Sequence, residues 1–462
     1  MPHRLNPAPL ALAVAILALP SLSLAEAISP HLEINGFATA GGSWVSKDYN
    51  GKYLGDPYQP GAGIDEKGSY QQDSVLGVQL TYSYDDRLDM VGQIVAAGTN
   101  DFQAQAEWAY IGYRVNDNLR VRAGRFAAPW YMYTENSHVG QAYPWARLPV
   151  ELYKGIPINS LDGFDLLYRQ PLGDWNLDAQ VTVGGAHNSY VRVANNTGLN
   201  INLSHDAVNF HLGYSVARVG LTFAKNPGGN SAEQASYLMN LYGFDTNTKN
   251  EATSFADAGM TFDDGTWMAV AEFGALRIDG WASDINAGYL SVGHYYGKWL
   301  PYALASKIET INKDQCTSAF APALNNAANV TAQANGAVAA TTATVNGLMA
   351  IIASPSSSAT DVALATAELP DALVLQAQAN AAAGQAATGQ AAADQVVNTT
   401  CDNRDQTSYS LGFRYDATKN VSVKFQIDEV RDFKGTQGYF NGVLPGRNAD
   451  TQVYTFNVNA AF

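Results

Sequence analysis

The chain has 462 residues, 47% of them hydrophobic and 11% aromatic but only 15% charged, with 25 Tyr, 41 Gly and two Cys. Its 42 acidic against 27 basic side chains provide no cationic field for phosphate, which argues against nucleic acid as a partner. The apolar and aromatic content excludes a wholly disordered chain, and two cysteines cannot build a disulfide-dense miniature or a Cys-rich zinc module.

In chain order, Arg4 precedes the apolar run Leu10–Leu19, then Pro20 and the stretch Ser21–Ala25, whose Ser23-x-Ala25 fits a small-x-small cleavage rule. Residues 1–25 are expected to form an export signal, cut after Ala25 or, as second choice, after Ala27. The rival reading, a membrane anchor, needs a run long enough to cross ~30 Å of hydrocarbon, and this one is too short. Export places the remainder in an oxidising compartment. No later segment offers ~20 continuous apolar residues. That leaves a soluble exported protein or a closed β-barrel, the other architecture that satisfies every backbone hydrogen bond in lipid.

From residue 31 onward a period of two recurs. Leu76, Val78, Leu80 and Tyr82 alternate with Gly77, Gln79, Thr81 and Ser83; Val421, Val423, Phe425 and Ile427 alternate with Ser422, Lys424, Gln426 and Asp428. Such alternation puts one set on each face of a strand. A soluble sandwich shares that period. Two further features favour the barrel. Short polar turns such as Asp85-Asp86-Arg87 and Tyr296-Gly297-Lys298 alternate with long polar connections, and Tyr82, Tyr84, Tyr113, Trp175, Trp267, Trp299 and Tyr415 gather beside the short turns as an interfacial girdle. The expected fold is all-β, a transmembrane antiparallel β-barrel of about 16 strands with an Ala-rich, helical extracellular insert. The strands are expected at 31–45, 73–84, 87–97, 104–115, 118–126, 162–170, 175–186, 195–205, 208–224, 251–263, 266–278, 284–295, 298–310, 406–416, 420–430 and 452–462. Residues 26–311 and 406–462 form the barrel, and 312–405 the insert.

The last strand, Val453–Phe462, alternates Tyr454, Phe456, Val458 and Ala460 and ends in Phe462. It resembles the C-terminal signature by which outer-membrane proteins are recognised for assembly, with Tyr454, Phe456 and Phe462 as its aromatic positions. The segment Asn118–Arg125 running into Pro129 resembles a porin strand entering the third external loop. With these, the whole layout resembles the sixteen-stranded trimeric porins of Gram-negative bacteria. The acidic, Asp-Gly-rich tip of that loop in enterobacterial porins is not evident here. The resemblance implies an outer-membrane homotrimer in contact with lipid and lipopolysaccharide, passing small hydrophilic solutes passively, with no cofactor and no metal.

If Tyr113, Val121 and Phe164 face lipid, then Arg114, Arg120, Arg122, Asp165 and Arg169 face the lumen, an arrangement favoured because an outward Arg costs ~2–4 kcal/mol at mid-membrane. Arg125 breaks phase and is expected to turn inward through a bulge at Gly124. The alternative has Arg114 and Arg169 snorkelling at the periplasmic rim. The connection 127–161 is longer than a hairpin needs and carries Glu135, His138, Arg147, Glu151 and Lys154 among aromatics such as Trp130, Tyr143 and Trp145. By resemblance it folds into the barrel, and Glu135 and Glu151 then oppose the arginines across a transverse field. The alternatives are an external cap or a trimer contact. The histidines show no zinc-ligand spacing and no G-x-S-x-G elbow occurs, so no enzyme is expected.

Between Thr317 and Thr400 there is no Lys, Arg, Tyr or Trp, and Ala dominates. Helix propensity there is high, broken at Ser354-Pro355 and Pro370. Cys316 and Cys401 bracket the segment, and a disulfide closing a helical hairpin is the leading reading; a tethered disordered tail is the other. The functional expectation is a diffusion channel, and the alternative is a surface adhesin or structural barrel that works through this segment.

Overall fold

The alternating segments do close on themselves. In the computed structural model the residues described are 27–47, 52–54, 63–156, 158–228, 231–243, 245–401, 404–436, 438–441 and 450–462; the expected signal at 1–25 lies outside them. The chain divides into two compact units, a barrel and a helical unit formed by Phe223–Asn247 and Asp314–Cys401.

The barrel strands are β2 (Leu32–Val45), β4 (Val75–Ser83), β5 (Leu88–Ala97), β6 (Ala104–Arg114), β7 (Leu119–Ala127), β8 (Ser160–Leu172), β9 (Trp175–His187) and β10 (Val191–His205). They continue with β11 (Val208–Leu221), β12 (Glu251–Asp263), β13 (Trp267–Ile278), β14 (Ile285–His294), β15 (Trp299–Thr310), β16 (Gln406–Asp416), β17 (Val421–Arg431) and β19 (Thr451–Ala461). Each pairs antiparallel with its sequence neighbour, and β19 pairs with β2 to complete a ring of sixteen. A short strand β1 (Ala27–Ser29) adds to β2, while β3 (Lys52–Tyr53) and β18 (Phe440–Asn441) make a separate two-stranded ribbon. The free edges that an open sheet would expose are absent from such a ring. At the seam, the Phe462 amide donates to the Gly36 carbonyl at 2.8 Å, and the Gly36 amide donates back at 2.7 Å. A Cβ at Gly36 would meet the Phe462 ring at 2.4 Å, so a larger residue there would push that ring aside.

The faces are inverted relative to a soluble protein. Leu76 is 52% exposed and Phe164 64%, whereas Gln93, Thr182, Asn200, Ser408, Ser422, Gln426 and Asn457 are buried inside. Among the described residues no second sheet covers the apolar face, which rules out the sandwich and makes this a lipid-facing barrel. The short turns are self-supporting. Asp85 accepts from the amides of Arg87 and Leu88 at 2.8 and 2.7 Å, and Asp264 from those of Thr266 and Trp267 at 2.8 and 2.7 Å. These amides hold both carboxyls below the ordinary range. Exposed Tyr82, Tyr84, Tyr113, Trp267, Tyr296 and Trp299 flank this end.

The helical unit holds α2 (Ser231–Leu241), α3 (Lys313–Ala353) and α4 (Ala359–Thr400). Ser358 caps α4, accepting from the Asp361 amide at 3.1 Å. Small side chains on the seam, Ala323, Ala327, Ala365 and Ala393, are buried, and Thr331 donates across to the Ala386 carbonyl at 3.2 Å. Cys316 and Cys401 form a disulfide with their Cα atoms 5.3 Å apart. Of the two rival readings of the segment, the disulfide-closed hairpin is the one found. Its length and composition would also let α3 cross a membrane. The helix α2 was not expected from the sequence.

Candidate functional site

Register sets the inward arginines. Arg114 pairs with Arg120, Arg122 with Asp165, and Arg169 with Asp178, all on the inward phase of β6 to β9. The sequence reading placed these side chains and Asp165 on that phase but drew no ion pairs between them. Arg120 Nη2 lies 2.5 Å from Asp89 Oδ2, and Arg169 Nε 2.5 Å from Asp178 Oδ1. Arg122 is buried and forks onto Asp165, Nε at 3.0 Å and Nη2 at 2.5 Å, while Gln180 donates to the same carboxylate at 2.8 Å. The Arg122 guanidinium also sits 5.1 Å from the Tyr110 ring centroid. The period-two rule puts Asp178 on the polar face of its strand, and applied to Asp89 it would have found that partner too. Arg114 and Arg169 are exposed at the short-turn end, Arg169 with 79% of its side chain accessible.

Arg125 is corrected. No register shift occurs at Gly124, and the extra residue sits instead at Glu107, where the β5–β6 ladder slips. Arg125 therefore stays in phase with Ala123 and Val121, outward, where its Nε lies 2.7 Å from Asp162 Oδ1. That pairing lets an arginine sit on this face. Gly124 has φ +130°, and a Cβ there would strike the Ala109 carbonyl at 2.3 Å.

The connection 127–161 crosses the lumen. It contains two short 3-10 turns, Thr134–Asn136 and Gly140–Ala142, and the helical turn α1 (Val150–Tyr153). Its aromatics build a dry core against one wall. Tyr131 meets Phe255 edge-on at 5.0 Å, and Trp145 meets Tyr289 at 5.2 Å. Polar ties reinforce this. Met132 N and Tyr153 Oη donate to Glu272 at 2.7 and 2.5 Å, and Trp145 Nε1 donates to Ser291 at 2.8 Å. The loop thus docks mainly on the wall formed by β12 to β19, while Arg147 reaches β2 and Glu135 and His138 reach the ion-paired side formed by β5 to β9.

The expected loop residues separate accordingly. Glu135, 48% exposed, lies 3.4 Å from Arg122 Nη2, in contact with one of the arginines. Glu151 is not. It is buried on the far wall, accepting from Ser306 at 2.7 Å, Gln406 at 2.6 Å and Ser408, so it adds nothing to a field opposite the arginines. Arg147 pairs with Asp73 at 2.7 Å and donates to Ser43 at 2.8 Å. His138 Nε2 stands 3.8 Å from Glu107 Oε1, and Lys154 Nζ donates to the Leu54 carbonyl at 3.2 Å. Among the described residues no group of His, Cys, Asp or Glu is placed to hold a metal ion.

No protein-family model and no curated protein sequence matches this chain. Among solved structures it is similar to Salmonella typhi OmpF in complex with daunomycin, with 11% identity over 93% of this chain and 97% of that one and a TM-score of 0.48. An anion-selective porin from Comamonas acidovorans shares 10% identity over 93% and 99% of the two chains, with a TM-score of 0.47. OprB of Pseudomonas putida shares 9% over 94% of each, with a TM-score of 0.48.

Proposed function

We propose that this chain is an outer-membrane porin, a water-filled channel through which small hydrophilic solutes and ions diffuse passively. One observation carries the reading: a closed ring of sixteen strands with an apolar outside, a polar inside and a long loop folded within. Solutes would pass along β5 to β9, where Arg114, Arg120–Asp89, Arg169–Asp178 and Glu135 keep accessible surface. Arg120, Arg122 and Arg169 each have a carboxylate partner, so this lane offers both signs of charge rather than a bare arginine wall. No catalytic role is assigned. The resemblance noted in the sequence extends the proposal to a homotrimer in the outer membrane of a Gram-negative bacterium, bounded by lipid and lipopolysaccharide, with Tyr454, Phe456 and Phe462 as the assembly signal.

The test is reconstitution of detergent-purified protein in planar bilayers. Stepwise conductance increments are expected, and persistent silence from a folded barrel would refute the channel. Silence would favour the second reading, a surface adhesin or structural barrel. That reading is supported by a disulfide-closed hairpin that presents Val330, Met349, Leu364 and Val374 exposed.

A further inference from the structure

We propose that Lys424 is a latch that positions the inserted loop and thereby sets the channel's aperture. The aperture half of this rests on the channel reading; the latch half does not.

Lys424 lies in the middle of β17, opposite Arg414 on β16 and Asn457 on β19, on the inward phase between Ser422 and Gln426. It is fully buried. Its ammonium donates to three loop carbonyls, those of Gly140, Tyr143 at 2.5 Å and Trp145 at 2.9 Å, and lies 4.5 Å from the Tyr143 ring centroid. An ammonium has three N–H donors and no acceptor. These three carbonyls use all of them.

The arrangement reads the loop's backbone, not its side chains. Carbonyls at 140, 143 and 145 converge on one nitrogen only when the segment between them takes this one shape. Arg414 adds bonds to the Gln141 and Tyr143 carbonyls at 2.9 and 3.2 Å, and Asn457 donates to the Ala146 carbonyl at 2.5 Å. Hydrogen bonds from a charged donor are stronger than neutral ones. Moving the loop away would break all three ammonium bonds together, so docking is expected to be two-state at this point.

A cage of carbonyls built for an ammonium predicts chemical rescue. In Lys424→Ala the side chain is gone while the three carbonyls remain, so added methylammonium can take the vacated place. Tetramethylammonium carries the same charge but no N–H and cannot. Hydrogen–deuterium exchange of residues 134–147 in detergent reports docking, and single-channel conductance and open-channel noise report aperture. Lys424→Ala is expected to speed exchange there roughly tenfold or more, as a locally opened segment does, with larger and noisier conductance. Methylammonium should reverse both effects. Lys424→Gln, which keeps two donors and much of the length, should give an intermediate result and serves if the Ala variant does not fold. Unchanged exchange in folded variants, or equal rescue by tetramethylammonium, overturns the latch. Faster exchange in a protein whose parent never conducts upholds the latch and sinks the channel.

Discussion

At the scale of single residues, the lumen is governed by what each buried charge faces. Arg122 and Asp165 are the clearest case, since both are buried and joined by a fork of hydrogen bonds. Arg122→Met would leave Asp165 without its main partner, which for a buried pair costs about 3–5 kcal/mol. The heat or urea midpoint of barrel unfolding should fall accordingly. Adding Asp165→Leu should recover most of the loss, because replacing both partners avoids an uncompensated charge. A double variant no more stable than the single one would show that the pair is not the source. His138 makes a different prediction. It sits on the inserted loop beside Glu107 and lines a small cavity with Gln93, Thr134 and Glu135. Burial lowers its pKa below the ordinary 6.5, with Glu107 pulling the other way. The undocked state therefore binds the proton more readily. Docking should be insensitive to pH above about 6.5 and weaken as pH falls below it. Loop exchange, corrected for its intrinsic rate and compared between about pH 8 and pH 5, should show this. The dependence should flatten in His138→Gln, and a profile unchanged in that variant would assign it to another group.

At the scale of elements, the strands were legible because each carries its own period, and their observed ends fall within a few residues of expectation. The largest miss at a strand start is instructive. β10 begins at Val191 rather than 195 because a bulge between Ala194 and Thr197 resets the alternation. Arg125 was misjudged for the converse reason: a bulge was assumed at Gly124 when the ladder places it at Glu107, and sequence alone does not say which strand of a pair carries the extra residue. The hairpin α3–α4 was legible from Ala content and the break at Ser354-Pro355, whereas Pro370, expected as a second break, lies inside α4, which runs unbroken through it. The helix Ser231–Leu241 was readable in principle, as a run of helix formers between Pro227-Gly228 and Gly243. What the sequence could not provide is the docking of 127–161. Lys424 and Gly140 are 284 positions apart, and period two says only that Lys424 points inward, not that a loop carbonyl awaits it. Glu151 failed likewise. Its type suited a lumen field, but Ser306, Ser408 and Gln406 had already claimed it from the far wall.

At the scale of the molecule, two units of opposite character share one chain, and their independence can be tested. The barrel buries polar side chains inside a hydrogen-bonded ring, while the helical unit is joined by its own disulfide and by contacts among its own helices. Every ring strand finds both neighbours without any residue between Asp314 and Cys401. The Cα atoms of Cys316 and Cys401 are 5.3 Å apart, so residues 317–400 can be replaced by a short Gly-Ser bridge, with both cysteines changed to Ser, without stretching the ends. In the parent, that disulfide closes a loop of 85 residues, for which the chain-entropy model gives ~4.6 kcal/mol of stabilisation. Most of that constraint acts on the excised segment, so its loss should cost the barrel little. The shortened protein is expected to keep its far-UV strand signal, its resistance to heat in detergent and a single-channel conductance close to the parent's. Reducing the intact protein should likewise leave conductance alone while opening the hairpin to proteases. A shortened barrel that folds but no longer conducts would place the helical unit within the permeation path, and would move the centre of function from the inserted loop at 127–161 to the Ala-rich hairpin.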